Sequence, residues 1–321
     1  MTDPVVLMIG EVGDWSIDAV VAELEMRGVG HFCLDTADFP QRMSFTAEFD
    51  ARWTGTIETA IDTLALSSVS AVYYRKPRDF EFPAGLSGPE RTFARAQARV
   101  GIGGVLSSLD ARWMNHPAAL ADCEYKPQQL SIAAACGLAV PRTLVTADAD
   151  RARQFASVVG DLVVKPLAAP IVHEGGGHTA VYTRRVATAD LDDLTGIETT
   201  AHLLQAWVPK AYEVRLTVVA DSLFAVAIVA GSDRSAIDWR TDYDSLSYEI
   251  VACPGWIVTA VTEFMRTAGL LYGAFDFVVT PDAQWVFLEC NAAGQWGWLV
   301  EECDLPIAAA IAEELINGNH P

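Results

Sequence analysis

No stretch of the sequence approaches the roughly 18 consecutive apolar residues that a membrane-spanning helix needs. The N-terminus, Met-Thr-Asp-Pro-Val-Val, lacks the basic region and the cleavage site of a signal peptide. Positive charge is scarce, because 22 Lys and Arg stand against 42 Asp and Glu and leave a net charge of −20. Phosphate backbones are bound by surplus Lys and Arg. We therefore expect neither a membrane nor a nucleic acid as a partner.

Paired cysteine motifs are also missing. The six cysteines show no Cys-x-x-Cys spacing, which would be typical of a zinc or redox site. Most of them lie among apolar residues, so we predict reduced, buried thiols in a cytoplasmic protein. With 321 residues, of which 51% are hydrophobic, the chain is long enough for two or three packed modules.

Cations are scarcest in the last third of the chain. Residues 201–321 contain five Lys and Arg against 16 Asp and Glu. Four of these five cations fall within residues 210–240: Lys210, Arg215, Arg234 and Arg240. A solvated surface charge would explain any one of them. A group of scarce cations beside isolated strand carboxylates is more typical of a metal–phosphate site.

Hydrophobic periodicity divides the chain into three parts, residues 1–118, 119–200 and 201–321. The first part opens as β–α–β, and its strand at residues 69–74 ends in a basic cluster that either binds a ligand or forms a solvated loop. The second part starts with one long helix and continues in short strands. The third part is a sheet with few helices. This pattern predicts an α/β protein whose last part is α+β in character.

The segment 273–291 carries the clearest chemical signal. Two apolar strands flank a predicted turn at residues 280–283, and each strand has one carboxylate, Asp276 or Glu289. Paired positions across a loop of even length sum to an odd number, so these carboxylates share a face with Asn291. Three oxygen-bearing side chains on adjacent strands are suitable ligands for a hard cation. We predict a Mg²⁺ site, while a structural charge remains the alternative for Asp276 alone.

Lys165 ends an apolar strand shortly before three glycines, Gly175, Gly176 and Gly177. A lysine beside a glycine-rich hairpin can neutralise nucleotide phosphates while backbone N–H groups cover them. An edge lysine before a flexible loop is the structural alternative. The segment is not a Walker motif, which requires Gly-Lys-Ser/Thr at the start of a helix.

The strand before Pro209 suits a hinge that offers backbone groups to adenine, with Gln205, Trp207 and Val208 as the candidate contacts. In the next strand, Glu213 and Arg215 lie two residues apart and share one face. Glu213 could accept hydrogen bonds from ribose hydroxyls, and Arg215 could bind a phosphate or a carboxylate through two hydrogen bonds. Arg240 is a second candidate of this kind. A surface ion pair is the alternative for each.

The order of these elements resembles that of the ATP-grasp superfamily. The chain is similar in particular to graspetide synthetases, the microviridin-type ligases that cross-link ribosomally made peptides. The motifs that carry this resemblance are Tyr-Arg-Lys-Pro at 74–77, Lys126-Pro-Gln-Gln-Leu, Asp-Trp-Arg at 238–240 and Gly-Gln-Trp-Gly-Trp at 294–298. They span nearly the whole chain. Ala292-Ala293 stands where the family pattern has Pro-Asn.

The resemblance implies an ATP-grasp fold with a Rossmann-like N-terminal domain (1–118), a central lid (119–200) and a mainly antiparallel C-terminal sheet (201–321). It implies ATP and Mg²⁺ as cofactors, with Lys126 and Lys165 on the phosphates and Lys210, Arg215 and Arg240 as catalytic residues. The implied partner is a precursor peptide with a leader segment, and a homodimer is left open. An Asp or Glu carboxylate of the peptide would attack the γ-phosphate of ATP. The resulting acyl phosphate would then react with a Ser or Thr hydroxyl or a Lys amine.

Two other functions remain open at this point. The chain could be an ATP-grasp ligase that adds free amino acids to a protein tail or a small metabolite. It could also be a peptide-binding scaffold that has lost catalysis. A neighbouring gene for a short peptide rich in Thr and Asp/Glu would favour cross-linking over amino-acid addition. Substrate-dependent ADP release would exclude the inactive scaffold.

Overall fold

The computed structural model describes residues 3–168, 171–174 and 177–317. In the first part of the chain, strands β1, β2, β6 and β7 form a parallel sheet in the order β2-β1-β6-β7. Strands β3, β4 and β5 form a separate antiparallel sheet. The elements are β1 (Val5–Ile9), α1 (Trp15–Met26), β2 (Gly30–Leu34), β3 (Met43–Asp50), β4 (Arg52–Thr59), β5 (Thr63–Ala65), β6 (Val69–Tyr74), α2 (Gly88–Ser107) and β7 (Arg112–Met114). The predicted β–α–β opening is confirmed, whereas the three-stranded sheet was not predicted.

The second part consists of short helices around an antiparallel sheet in the order β12-β9-β13-β8, beside the hairpin β10-β11. The elements are α3 (Pro117–Cys123), α4 (Lys126–Ala135), β8 (Thr143–Thr146), α5 (Ala149–Val159), β9 (Leu162–Lys165), β10 (Ile171–Glu174), β11 (Gly177–Ala180), β12 (Arg184–Arg185), α6 (Thr188–Asp192) and β13 (His202–Ala206).

The single long helix predicted over residues 118–136 is wrong, because the chain forms α3 and α4 with a break at Glu124 and Tyr125. Pro127 lies in the first turn of α4. Within a continuous helix its ring would clash with the carbonyl of Cys123, and it has no N–H to donate. Lys126 consequently sits at the start of a new helix.

The third part is an antiparallel sheet in the order β16-β15-β14-β17-β18. The elements are β14 (Tyr212–Val219), β15 (Ser222–Val229), β16 (Ser247–Ile250), α7 (Gly255–Ala268), β17 (Tyr272–Val279), β18 (Trp285–Asn291), α8 (Gly297–Cys303) and α9 (Ile307–Asn317). The sheet was predicted, and the 14-residue helix α7 was not.

Alternation along the strands gives this sheet two different faces. Leu216, Phe275 and Phe287 are fully buried against α7, where Phe264 packs on Phe275 with ring centroids 5.2 Å apart. Residues of the opposite parity on β14 and β17 point away from α7. Toward the other end of the sheet, α1, α8 and α9 cover that second face with apolar side chains. The part that they leave open carries the candidate site.

Within the described residues, no helix combines the length and the apolar character that crossing a membrane requires. All six cysteines are free. Cys123 and Cys290 are buried as predicted, but Cys33 is exposed. Cys136, Cys253 and Cys303 are half-buried, and the prediction of buried thiols is wrong at Cys33, which lies in the outermost strand of the parallel sheet.

Candidate active site

A cavity of about 1260 Å³ lies where the three parts of the chain meet. The end of β6, the start of α4 and the end of β9 form part of its wall. Strands β14, β17 and β18 contribute the rest, together with the segment that follows β18. Almost every predicted site residue within the described chain lines this cavity: Lys126, Lys165, Gln205, Trp207, Val208, Lys210, Glu213, Arg215, Arg240, Asp276, Glu289 and Asn291.

Asp276 and Glu289 are directly opposite each other on β17 and β18 and therefore share a face, as predicted. The predicted reason is wrong, however, because the loop covers residues 280–284 and its odd length pairs Phe277 with Phe287. Continued alternation would turn Glu289 toward α7, on the same side as Phe287. A β-bulge after that pair inserts Leu288 as an extra residue and restores the pairing. The bulge therefore brings the second carboxylate to the face of the cavity.

Arginines and a lysine surround the two carboxylates. Arg240 Nη2 lies 3.0 Å from Asp276 Oδ2 and 2.9 Å from Glu289 Oε1. Lys126 Nζ lies 3.0 Å from Glu289 Oε2. Arg215 Nε donates to Asp276 Oδ1 at 2.8 Å and is itself buried. The described structure thus concentrates both signs of charge at one end of the cavity.

This arrangement separates the protonation behaviour of the two carboxyl groups. Burial alone would raise the pKa of Glu289, but Lys126, Arg240 and Lys165 outweigh it and lower that pKa well below its ordinary range. Burial raises the pKa of Asp276, and Arg215 and Arg240 offset this only in part. Glu289 is consequently the carboxylate that the surrounding cations hold most firmly in its charged form.

The residues present fit a hard divalent cation. The guanidinium nitrogen Arg240 Nη2 already bridges the two carboxylates, so their oxygens converge on a point suited to positive charge. Asn291 is close enough to complete the set, with Nδ2 3.4 Å from Asp276 Oδ2. No group of three or more His, Cys, Asp and Glu that could hold a metal occurs in the described part of the chain, and the oxygen of the Asn291 amide is the third donor that the sequence predicts beside the two carboxylates.

Asp238 in the same loop holds Arg240 in place, and Thr183 from the second part of the chain in turn contacts Asp238. Its backbone N–H donates to Asp238 Oδ1 at 3.2 Å, and Nη1 lies 3.3 Å from the same oxygen. Asp238 Oδ2 accepts the backbone N–H of Thr183 at 3.1 Å. The ring of Trp239 lies between the two arginines, with centroid distances of 5.2 Å to the guanidinium carbon of Arg240 and 5.5 Å to that of Arg215.

The same cavity contains the groups predicted to meet a nucleotide. Lys165 lies at the end of β9, where its backbone pairs with Leu203, and its side chain forms no hydrogen bond or ion pair within the described residues. Burial, the largest influence, lowers its pKa. Glu213 is buried and accepts a hydrogen bond from Lys210, whose ammonium also lies 5.5 Å from the centre of the Trp207 ring.

The hinge before Pro209 has one free backbone donor. The N–H of Trp207 donates to the carbonyl of Asp161 at 2.8 Å, and the side chain of Gln205 donates to Thr143 Oγ1 at 3.0 Å. In the described chain, the N–H of Val208 has no such partner. Gly175 and Gly176 lie outside the described residues, and Gly177 begins β11.

Several residues at the site were not predicted as site residues. Gln129 and Asn115 bond to the backbone around β18 and β17, and Arg75 bonds to the segment after β18. Asp238 and Trp298 also line the cavity; both belong to motifs that carry the family resemblance, but neither was predicted as a site residue. Site contacts such as those of Gln129 and Arg240 join residues more than 35 positions apart, so the local spacing of residues in the sequence cannot predict them.

Comparison with known proteins identifies the family to which the chain belongs. The family model described as the MvdD pre-ATP grasp domain matches residues 5–121. The chain is 30% identical to the macrocyclase MdnC of Microcystis aeruginosa MRC, solved with its precursor peptide MdnA, at a TM-score of 0.86 over 98% of this chain and 100% of that one. It is 32% identical to the macrocyclase MdnB of the same organism, at a TM-score of 0.81 and with the same coverage.

A third structure is similar in fold over the full length. The RiPP-associated ATP-grasp ligase of Chryseobacterium gregarium, solved with ADP, a leader and a core peptide, is 26% identical. Its TM-score is 0.91, over 98% of this chain and 97% of that one. No curated protein sequence matches the chain. The chain belongs to the ATP-grasp macrocyclase family of MdnC and MdnB, and it is an ATP-dependent ligase.

Proposed function

We propose that this ATP-dependent ligase cross-links a ribosomally made precursor peptide, joining Asp or Glu side chains to Thr, Ser or Lys side chains with release of ADP and phosphate. The observation that carries the proposal is the convergence of Asp276, Glu289 and Asn291 with Arg215 and Arg240 in one large cavity. A carboxylate needs activation before it can form an ester or an amide. This cavity offers both the anion-binding groups and the room for a peptide.

Each group has a role that follows from its position. When bound by Asp276, Glu289 and Asn291, Mg²⁺ would neutralise phosphate charge during phosphoryl transfer. The side chain of Lys165 has no hydrogen bond or ion pair among the described residues, and we assign it to a phosphate oxygen of ATP. The unpaired N–H of Val208 is the donor we assign to adenine.

The arginines and Lys210 act on the reacting groups. Arg240 is placed to hold the substrate carboxylate against the γ-phosphate, since it is the cation that reaches both metal-binding carboxylates. Arg215 orients Asp276 through a buried hydrogen bond. Lys210 balances the charge of the buried Glu213, which we assign to the ribose hydroxyls.

The division of the chain into three parts suggests how the cavity is closed around its substrates. We propose domains at residues 1–118, 119–200 and 201–321, although β13 (His202–Ala206), which lies just beyond the second boundary, pairs within the sheet of the middle domain. The middle domain acts as the lid, and its Thr183 reaches Asp238 of the last domain. Closing such a lid over the cavity would exclude water, which would otherwise hydrolyse the activated carboxylate. The free thiols accord with a cytoplasmic site of action.

Mass spectrometry of a precursor peptide tests this function. The substrate is a short peptide rich in Thr and Asp/Glu, encoded beside the gene for this chain and incubated with enzyme, ATP and Mg²⁺. We expect the loss of one water per cross-link. A gain of mass by one amino acid would instead identify a ligase of free amino acids, and an unchanged mass without ADP release would identify an inactive scaffold.

A matched pair of variants ties the reaction to the site. Glu289→Gln keeps the shape of the side chain and removes its charge, so we expect it to abolish cross-linking nearly completely. Glu249→Gln changes an exposed residue on the edge strand β16 and should leave the reaction unchanged. Wild-type ADP release by Glu289→Gln at ordinary Mg²⁺ concentrations would refute the metal assignment.

A further inference from the structure

Lysine is confined to one place in this protein. The sequence contains four lysines, Lys76, Lys126, Lys165 and Lys210, against 18 arginines. All four line the same cavity, although most of the chain lies outside it. Lysine is ordinarily a residue of the general surface. Its restriction to the cavity indicates that each of the four meets an anion there.

Three of these lysines already have a role in the site described above. Lys126 pairs with Glu289 at 3.0 Å, and Lys210 pairs with Glu213. Lys165 is placed for the nucleotide phosphates. Lys76 is not used by the proposed mechanism, and it makes no hydrogen bond or ion pair with any described residue.

The neighbours of Lys76 leave its part of the wall positively charged. Arg75 is 2% exposed, and its guanidinium donates only to neutral oxygens: the carbonyls of Ala293 and Gly294, each at 3.3 Å, and Gln295 Oε1 at 3.2 Å. Its Nε is buried without a partner. No described carboxylate forms an ion pair with either of these two adjacent cations, and Asp14 acts on Lys76 only from a longer distance.

Arg78, two residues further on, behaves differently. Its Nε donates to the fully buried carboxylate of Asp35 at 2.7 Å. The basic cluster after β6 thus divides into one cation with a carboxylate partner and two cations without one. The two unpaired cations are the ones that line the cavity, whereas Arg78 does not.

A positive wall inside a protein of net charge −20 attracts an anion from the ligand. The groups assigned to the nucleotide all come from residues 126–291, whereas Lys76 lies in the first part of the chain, just after strand β6 of the parallel sheet. We propose that Lys76, beside the buried Arg75, binds an Asp or Glu side chain of the substrate peptide. This subsite rests on the proposed function, and it specifies that the enzyme selects for an acidic residue at this wall.

The small number of lysines allows a direct test without any precursor peptide. Reductive ¹³C-methylation keeps the positive charge of lysine and yields one signal for each of the four side chains, plus the N-terminal amine. Lys76→Arg assigns the signal of Lys76 by its disappearance. The probes are N-acetylglutamate N-methylamide and, as the uncharged control, N-acetylglutamine N-methylamide, both added in the presence of ADP and Mg²⁺.

We expect the Lys76 signal to shift saturably with the glutamate compound and not with the glutamine compound. Arg78→Gln, which alters the neighbouring paired cation, should leave this response intact. A Lys76 signal that ignores the carboxylate, or that responds to ADP itself as a phosphate-binding group would, overturns the proposal. This result does not depend on whether any peptide is cross-linked, so it separates a failure of the subsite from a failure of the proposed function.

Unmodified protein provides the second measurement. With a precursor peptide that the wild type cross-links, Lys76→Gln should weaken peptide binding by about ten- to a hundredfold, as expected for one charged hydrogen bond. ATP affinity should stay within about twofold. Replacing the acidic residues of the core by their amides one at a time should identify one position at which Lys76→Gln causes no further loss. Equal losses at every position would overturn the assignment.

Discussion

The side-chain amide of Gln129 pairs with the backbone of Cys290 on both sides, as a neighbouring strand would. Its Oε1 accepts the N–H of Cys290 at 2.8 Å, and its Nε2 donates to the carbonyl of Cys290 at 2.9 Å. Cys290 lies between Glu289 and Asn291 on β18, which is the edge strand of its sheet. Helix α4 thereby fixes the backbone that carries two of the three predicted metal ligands.

Gln129→Leu should destabilise the fold and loosen the metal site together. The substitution leaves the buried N–H of Cys290 unpaired and its carbonyl with only the weak thiol donor of Cys123, which we expect to lower the free energy of unfolding by about 2–4 kcal/mol. Denaturant unfolding measures this loss, and ADP release at increasing Mg²⁺ should show a higher Mg²⁺ requirement. Gln128→Leu changes the exposed neighbour on the same helix and serves as the control. Equal stability of the two variants would show that the pairing is unimportant.

The buried carboxylate of Asp35 should make stability depend on pH. Burial would raise the pKa of Asp35, but the hydrogen bonds from Arg78 and from the N–H groups of Ala37 and Val12 lower it below its ordinary value of 3.8. A carboxyl group whose pKa is lowered by folding stabilises the folded state above its unfolded-state pKa. That contribution is lost as the pH falls through the lower, folded-state value.

Asp35→Asn should therefore be less stable than the wild type at neutral pH, and the difference should shrink below about pH 4. Urea unfolding of both proteins between about pH 7 and pH 3 measures it. Asp50→Asn, at an exposed position of the same domain, should show no such convergence. A constant difference between Asp35→Asn and the wild type across this range would contradict the assigned charge.

Much of the architecture could be predicted because it follows local rules. The strand predicted at residues 69–74 coincides with β6, and the two apolar strands predicted within 273–291 are β17 and β18. Helix α7 was missed although a signal was available, since Ile257, Val261 and Phe264 are buried at helical spacing. The prediction of a sheet with few helices gave that spacing too little weight.

The sequence predicted which residues form the candidate site but not how the backbone brings them together. The sequence indicated that Asp276 and Glu289 lie on the same face. The bulge at Leu288 that places them opposite each other depends on how β18 packs against β17 on one side and helix α4 on the other. Contacts such as those of Gln129 join distant segments and have no sequence period. The confinement of lysine to the cavity was present in the composition, yet it becomes informative only once the cavity is known.

Lys165 should matter for ATP and much less for the peptide. It lies at the end of β9 without a described partner, and a charged hydrogen bond to a phosphate is worth more than a neutral one. We expect Lys165→Ala to weaken ATP binding by roughly tenfold or more in calorimetry, with peptide affinity nearly unchanged. Arg184→Ala removes an exposed cation of the same sheet as the control. Unchanged ATP affinity of Lys165→Ala would return this lysine to a structural role at the strand end.

Arg240 provides the strictest test, because its charge and its shape can be separated. One nitrogen, Nη2, reaches both Asp276 and Glu289, while Nη1 lies beside Asp238. Arg240→Lys keeps the charge but cannot satisfy these carboxylates and a substrate carboxylate at once, since an ammonium lacks the planar fork. If the fork orients the substrate in the transition state, the cross-linking rate should fall by roughly thirty- to a thousandfold, corresponding to about 2–4 kcal/mol.

The nucleotide itself should bind to Arg240→Lys with an affinity within a few-fold of the wild type, because a transition-state contact affects rate more than ground-state binding. Arg234→Lys is the matched control on the same loop, where an exposed arginine donates only to the carbonyl of Thr241. Rates of cross-linking by mass spectrometry and ATP affinities by calorimetry for both variants decide the matter. Near-normal cross-linking by Arg240→Lys would mean that charge alone suffices and that another residue aligns the substrate. A loss confined to ATP affinity would instead make Arg240 a nucleotide ligand.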